Sequence, residues 1–281
     1  MVRKTFIIIG CLLLFCLAYG FYYIRWRDLW SICQQEPIYK TKKCNDDTLR
    51  VVMIGDSWAS LHSELHMDSY LCSELGKGIS CPIMVASKGK GGEKSRGIYR
   101  YMFQNTGCGT KTLFIVEPDY CIVLAGINDA AANWGTKQFC AHYKMILNFL
   151  LSKHIRPVII EIPDVDIWHI YGDKSWKDLM ADFVKSTMTG CRMYHFHEYR
   201  EALKVMLFEE HLMEQVVYIP MECWNEERER INQNLLMADR IHLNRRGYEK
   251  LDACIAKAII CDLQQAKDSA FVYQPMNENA E

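Results

Sequence analysis

The 281-residue sequence has no excess of either charge: 33 Lys and Arg stand against 34 Asp and Glu, for a formal net charge of −1. No basic face is implied, which excludes nucleic acid as an expected partner. Close cysteine pairs are also missing. The thirteen cysteines are scattered, two of them (Cys11 and Cys16) in an N-terminal apolar stretch, so the ligand spacing of a zinc site is excluded. No segment repeats, which excludes stacked-repeat architectures. Finally, no charge at all occurs between residues 5 and 24.

That uncharged run follows a positive start, Met1-Val-Arg3-Lys4. It is just long enough to span a bilayer. Ala18-Tyr19-Gly20 also offers small residues at the −3 and −1 positions of a cleavage site. Residues 1–27 are therefore read as a signal peptide or an N-terminal membrane anchor, with membrane contact through residues 5–24 if they are retained. Either reading places the following domain outside the cytoplasm. Residues 28–48 read as a linker, 49–264 as one domain, and 265–281 as a polar tail without order. Cys33 and Cys44, flanking a short loop, are the first candidates should any disulfide form. Cys121, Cys140 and Cys254 sit in apolar patterns as small hydrophobes.

Half of the residues are apolar, enough to bury a sizeable core. Short apolar runs at 49–54, 82–86, 120–125, 157–162 and 216–219 read as strands. Between them helical spacing recurs: Trp58, Leu61, Leu65, Cys72 and Leu75, with Gly76 as a stop, then 93–104, then Phe139, Tyr143, Ile146, Leu147 and Leu150. Residues 197–213 continue the pattern, and Tyr248, Leu251, Cys254, Ile255 and Ile259 mark a last helix. Alternating strands and helices predict a mostly parallel five-stranded α/β sheet covered on both faces.

Four polar or glycine clusters, at 55–57, 87–92, 126–129 and 239–242, follow strands or open helices. A parallel sheet gathers such positions along one edge. The first, Gly55-Asp-Ser57, is a strand-to-helix corner that lifts a serine hydroxyl above that edge, at a helix N-terminus. A serine needs a base within hydrogen-bond reach and a carboxylate to steer that base. His242 and Asp239, three residues apart, supply the pair. The candidate donors to a tetrahedral oxyanion are the backbone N–H of Ser57, a backbone N–H of the glycine loop and the amide of Asn128.

Gly55-Asp-Ser57, Gly92, Gly126-Ile-Asn128-Asp129 and Asp239-Arg-Ile-His242 resemble, in order, the four blocks of the SGNH/GDSL hydrolase superfamily. Ser87-Lys-Gly-Lys-Gly-Gly92 and His242-Leu-Asn-Arg-Arg-Gly-Tyr248 look like its platelet-activating-factor acetylhydrolase type. The resemblance covers residues 50–260. It implies a three-layer α/β/α flavodoxin-like fold, no metal or other cofactor, and ester hydrolysis through an acyl-serine. In that reading Ser57 is the nucleophile, Asp239 and His242 complete a triad, and Gly92 and Asn128 complete an oxyanion hole with Ser57. Position 58 departs from the motif, with Trp in place of Leu, and Trp58 is expected at the pocket floor. Trp134 is a second candidate substrate contact, ahead of Trp168 and Trp176.

The expected activity is extracytoplasmic removal of acetyl or another short acyl group from a carbohydrate or cell-envelope glycan. An O-acetyltransferase using the same triad, or a non-catalytic glycan-binding or assembly protein on this fold, are the alternatives. The substrate is an acylated small molecule or glycan, and no pattern bears on oligomeric state. His62 and His66, spaced i,i+4, read as a solvated helix flank because no third metal ligand is evident. His195 and His197 read as an exposed strand edge, and Lys88 and Lys90 as a solvated loop.

Overall fold

The computed structural model describes residues 2–27, 29–167, 173–225 and 230–272. Five strands form one sheet: β1 (Leu49–Gly55), β2 (Ile83–Gly89), β3 (Tyr120–Leu124), β4 (Arg156–Ile160) and β5 (Val217–Ile219). Their order is β2-β1-β3-β4-β5, with every neighbouring pair parallel. β1 and β3 are nearly continuous apolar runs because the sheet is covered on both faces. Val51, Val52, Met53 and Ile54 are each at most 1% exposed. Each strand lies where the apolar runs predict it, with ends shifted by at most three residues.

The described helices are α1 (Val2–Arg27), α2 (Ser57–Glu64), α3 (Met67–Leu75), α4 (Ser95–Tyr101), α5 (Ile127–Ala131), α6 (Thr136–Ser152), α7 (Trp176–Thr189), α8 (Phe196–Glu209) and α9 (Arg245–Val272). α3 packs on α9, while α4 and α8 pack on α6, giving the two helical layers. The order reverses direction between β1 and β3. Open α/β sheets bind ligands at such a point, beyond the carboxyl ends of the strands. Ser57 follows β1 and Asn128 follows β3, so the topology sets both at that crevice.

Several local expectations are corrected. The helix predicted over 58–75 is broken, because His66 adopts φ +57° between α2 and α3. His195 caps the N-terminus of α8 and His197 lies in that helix, so neither belongs to a strand edge. The last helix continues to Val272, past the expected start of a tail at 265, while residues 273–281 lie outside the described residues. Cys33 and Cys44 are both free thiols: Cys33 Sγ lies 4.0 Å from Met145 Sδ, and Cys44 Sγ donates to Asp46. The segment before β1 is held against the domain at several points. The Trp30 indole donates to the Asn133 carbonyl, the Cys33 amide to His142, the Glu36 amide to the Tyr99 hydroxyl, and the Tyr39 hydroxyl to the Met102 carbonyl. α1 is long and apolar enough to cross a membrane and is not buried against the domain.

Candidate active site

β1 ends at Gly55, and Asp56 caps α2 by accepting the Trp58 amide at 3.0 Å, which makes Ser57 the first helical residue. Asp and Ser suit this corner because a short acceptor satisfies one of the four unpaired amides at a helix start. Ser57 is half-buried. Its Oγ lies 2.8 Å from His242 Nε2, across 185 residues of chain. His242 Nδ1 lies 2.6 Å from Asp239 Oδ2. With Nδ1 protonated, Ser57 donates to His242 and His242 donates to Asp239.

The turn holding this pair is built locally. Asp239 Oδ1 accepts the amides of Ile241 and His242 at 2.9 and 3.0 Å, with Arg240 at φ +60° in the turn. Burial pushes the Asp239 carboxyl up, but the His242 bond and the two backbone amides outweigh it and hold the group below the usual range. The Asn244 amide donates to the carbonyls of Asn234 and Leu236, and its side-chain oxygen accepts the Gly247 amide as α9 begins.

Asn128, in the first turn of α5, donates its side-chain amide to Asp56 Oδ2 at 3.0 Å. An amide group carries two donor hydrogens, so one remains for another acceptor. Asp56 is 1% exposed. Burial first, then the charge of Asp129, raise its carboxyl to about 7 against the pull of its donors. Asp129 is likewise buried, and accepts both the amide and the hydroxyl of Ser95, at 2.9 and 2.7 Å. It thereby pins the start of α4, directly after the glycine loop. Sequence reasoning gave Asp129 no such task.

Two loop glycines have distinct reasons to be glycine. A Cβ on Gly89 would meet the Asp56 carbonyl oxygen at 2.3 Å and the Ser60 amide nitrogen at 2.7 Å, so the end of β2 reaches the Ser57 corner only without a side chain. Gly92 has φ +72° and open space around it, a conformation L side chains rarely adopt. Gly92 and Asn128 line one 340 Å³ cavity, together with Lys94, Lys185, Met193 and Tyr194. Trp134 stands beside it, with the Lys94 ammonium 5.3 Å from its ring centroid.

Trp58 sits beneath the site. It is 1% exposed, its ring lies edge-on to Trp224 at 6.1 Å, and its carbonyl accepts the Tyr248 hydroxyl at 2.8 Å. It packs the corner from below and presents no face to a ligand, which corrects the expected substrate contact. Trp176 is exposed on α7, and Trp168 lies outside the described residues. The Lys90 ammonium, read as solvated, is tied to the Tyr101 hydroxyl at 2.6 Å and to Glu93 at 3.3 Å. His62 also departs from expectation: it is fully buried, whereas His66 is exposed. Among the described residues no group of three or more His, Cys, Asp or Glu side chains is arranged to hold a metal ion.

A second, polar cavity of 660 Å³ adjoins the Asp239–His242 turn, since Arg240 lines it and sits between those two residues in the chain. Three ion pairs line it: Arg200 with Asp164 at 2.8 Å, Lys204 with Glu161 at 2.6 Å, and Arg240 with Asp166 at 3.6 Å. Tyr194 borders both cavities.

The sequence matches no protein-family model and no curated protein. The fold does match solved structures. A GDSL-like lipase from Bacteroides thetaiotaomicron superposes with TM-score 0.50 at 14% identity, covering 86% of this chain and 98% of the lipase. An acetylxylan esterase from Geobacillus stearothermophilus gives TM-score 0.51 at 15% identity, over 75% of this chain and 94% of the esterase. An α/β hydrolase enzyme from the Lake Arreo metagenome gives 0.52 at 13% identity, over 76% and 95%. The chain therefore has the α/β/α fold of the SGNH/GDSL hydrolases.

Proposed function

We propose that this protein is an extracytoplasmic serine esterase that removes acetyl or another short acyl group from a carbohydrate or cell-envelope glycan. The observation that carries the reading is the chain of contacts Ser57 Oγ to His242 Nε2 at 2.8 Å and His242 Nδ1 to Asp239 at 2.6 Å. His242 takes the serine proton as Oγ attacks the acyl carbonyl, and Asp239 holds the ring tautomer and stabilises the imidazolium. The backbone amides of Ser57 and Gly92 and the free amide hydrogen of Asn128 receive the developing oxyanion. Collapse expels the alcohol, protonated by His242, and leaves an acyl-serine. Water activated by the same histidine then releases the acid.

The carbohydrate part of the reading is supported by the 660 Å³ cavity beside Arg240. Its ion pairs neutralise one another and offer donors and acceptors side by side, which suits a neutral polyhydroxyl alcohol better than an acyl tail. The acetylxylan esterase with the same fold acts on such an alcohol. The extracytoplasmic part rests on α1, whose apolar surface is left uncovered.

The test is turnover of p-nitrophenyl acetate by the full-length chain in detergent, with and without a saccharide acceptor. Wild type is expected to release acetate and Ser57→Ala to be inactive; equal rates would overturn the reading. Acetylated saccharide formed at the expense of free acetate would identify an O-acetyltransferase. Fluorophosphonate should label Ser57, and labelling that His242→Ala leaves undiminished would remove His242 from the site.

A further inference from the structure

His62 lies five residues after Ser57 on α2 and is 0% exposed. Burying an ionisable ring is costly unless it is paired, and here both ring nitrogens are paired. Nδ1 lies 3.1 Å from Asp68 of α3 and 3.1 Å from the Ser87 hydroxyl of β2. Nε2 lies 3.1 Å from both carboxylate oxygens of Asp252 on α9. Ser87 in turn donates to Asp68 at 2.5 Å. The ring edge meets Tyr248 of α9 at 5.5 Å, and Tyr248 holds the Trp58 carbonyl.

The three elements other than α3 each adjoin the site. α2 begins with Ser57, β2 runs from Ser87 into the loop of Gly89 and Gly92, and α9 follows the turn of His242. A neutral imidazole has one N–H and so donates to one side only. The imidazolium donates to both; without its Nδ1 proton a ring lone pair would face the half-buried Asp68, and without its Nε2 proton one would face the fully buried Asp252.

We propose that the imidazolium of His62, clamped between Asp68 and Asp252, is a positioning residue for ester cleavage. It holds the serine helix, the glycine loop and α9 in one register, so that Ser57, Gly92 and His242 keep their mutual geometry. This rests on the esterase reading above. Burial alone would push the imidazole towards neutrality, but the bonds and charges of Asp252 and Asp68 outweigh it and raise the group to about 9. Burial raises the Asp252 carboxyl to about 6 against the opposing pull of His62. Glu74 of α3 and Tyr248 of α9 also face this unit, and β2 supplies the non-titrating Ser87. The clamp is therefore complete between about pH 6 and about pH 9. Because the folded pKa of His62 is raised, its stabilisation is full below the unfolded value and is lost as pH rises through about 9.

The experiment uses the full-length chain in detergent, with fluorophosphonate labelling of Ser57 and p-nitrophenyl acetate turnover as baseline. Misplacing reacting groups by about 1 Å can cost up to about a hundredfold, so His62→Gln should lower kcat by about tenfold to a hundredfold with KM little changed. Wild-type kcat should fall reversibly above about pH 9, and Asp252→Asn should move that alkaline limb towards neutral pH. Nitrogen NMR of the wild-type imidazoles at neutral pH should show both His62 nitrogens protonated, which does not depend on the variants folding. A neutral His62, or folded variants with wild-type kcat and an unmoved limb, would overturn the proposal. Lower thermal stability alone would assign His62 a purely structural role and would also overturn it. Absence of labelling and turnover in wild type would sink the esterase reading, while the NMR result would still report the ionisation of the clamp.

Discussion

Replacing Asn128 with alanine tests two things at once, the proposed oxyanion contact and the bond to Asp56. The Asn128 amide donates to Asp56 at 3.0 Å and has a second hydrogen available at the site. Loss of one oxyanion donor typically costs about 100- to 1,000-fold in kcat, or about 2.7–4 kcal/mol. The same substitution takes a donor from a carboxylate that is 1% exposed. A hydrogen bond to a charged group contributes about 1.5–3 kcal/mol, and one between neutral groups about 0.5–1.5 kcal/mol. The stability loss therefore depends on the ionisation of Asp56.

The Asp56 carboxyl is raised to about 7, so the folded state binds its proton more tightly than the unfolded state. Its ionisation costs stability as pH rises from the ordinary carboxylate range through about 7. Asn128 relieves part of that cost by bonding the ionised form. Asn128→Ala should accordingly be mildly destabilised at about pH 5 and more so at about pH 8. Denaturant midpoints at the two pH values, with kcat on p-nitrophenyl acetate, measure both effects. A folded variant with wild-type kcat would refute the oxyanion role. A stability loss equal at both pH values would refute the contact with an ionised Asp56.

Other substitutions test the packing around the corner. Asp239→Asn should reduce kcat by about ten-thousandfold with KM nearly unchanged, because the wrong histidine tautomer is favoured; a minor loss in steady-state kinetics would deny Asp239 its place in a triad. Gly89→Ala forces a methyl group into the Asp56 and Ser60 backbone, and an overpacked site costs about 1–3 kcal/mol. A lower melting temperature together with reduced turnover is expected, and an unchanged protein would contradict the close approach. Trp58→Ala should cost about 3–5 kcal/mol in a denaturant titration, as for other buried aromatic residues; near-neutrality would show that Trp58 does not pack as the structure places it.

Much of the fold was legible because its signals are local. β-branched runs bounded by polar turns marked all five strands, and helical spacing marked several of the helices between them, though not α5 or α7. The triad candidates were legible for a related reason: a parallel sheet gathers strand ends, so three polar clusters after strands, and one opening the last helix, needed only a common edge to meet. Asp239 and His242 were also close in sequence, and their turn is built from their own backbone amides.

What stayed hidden depends on partners distant in the chain. His62 reads as a helix-surface histidine until Ser87 and Asp252, the latter 190 residues away, close over it. The break at His66 was masked because apolar spacing continues across it, while a single left-handed residue redirects α3. Trp58 looked like a pocket residue because its neighbour is Ser57, yet α2 turns it inward against Trp224. The segment before β1 lacks periodicity because it is held by single hydrogen bonds from scattered residues.

The sequence by itself determined the strand-to-helix corner at Ser57, the polar clusters at the strand ends and the parallel α/β class, since each follows from residue type and short-range spacing. The tertiary structure alone decided that Ser57 and His242 stand 2.8 Å apart, that Asn128 bonds Asp56, and that His62 is buried between two carboxylates. Those contacts exist only once the sheet order places β1 between β2 and β3 and lays α9 across α3, and no local pattern along the chain encodes that meeting.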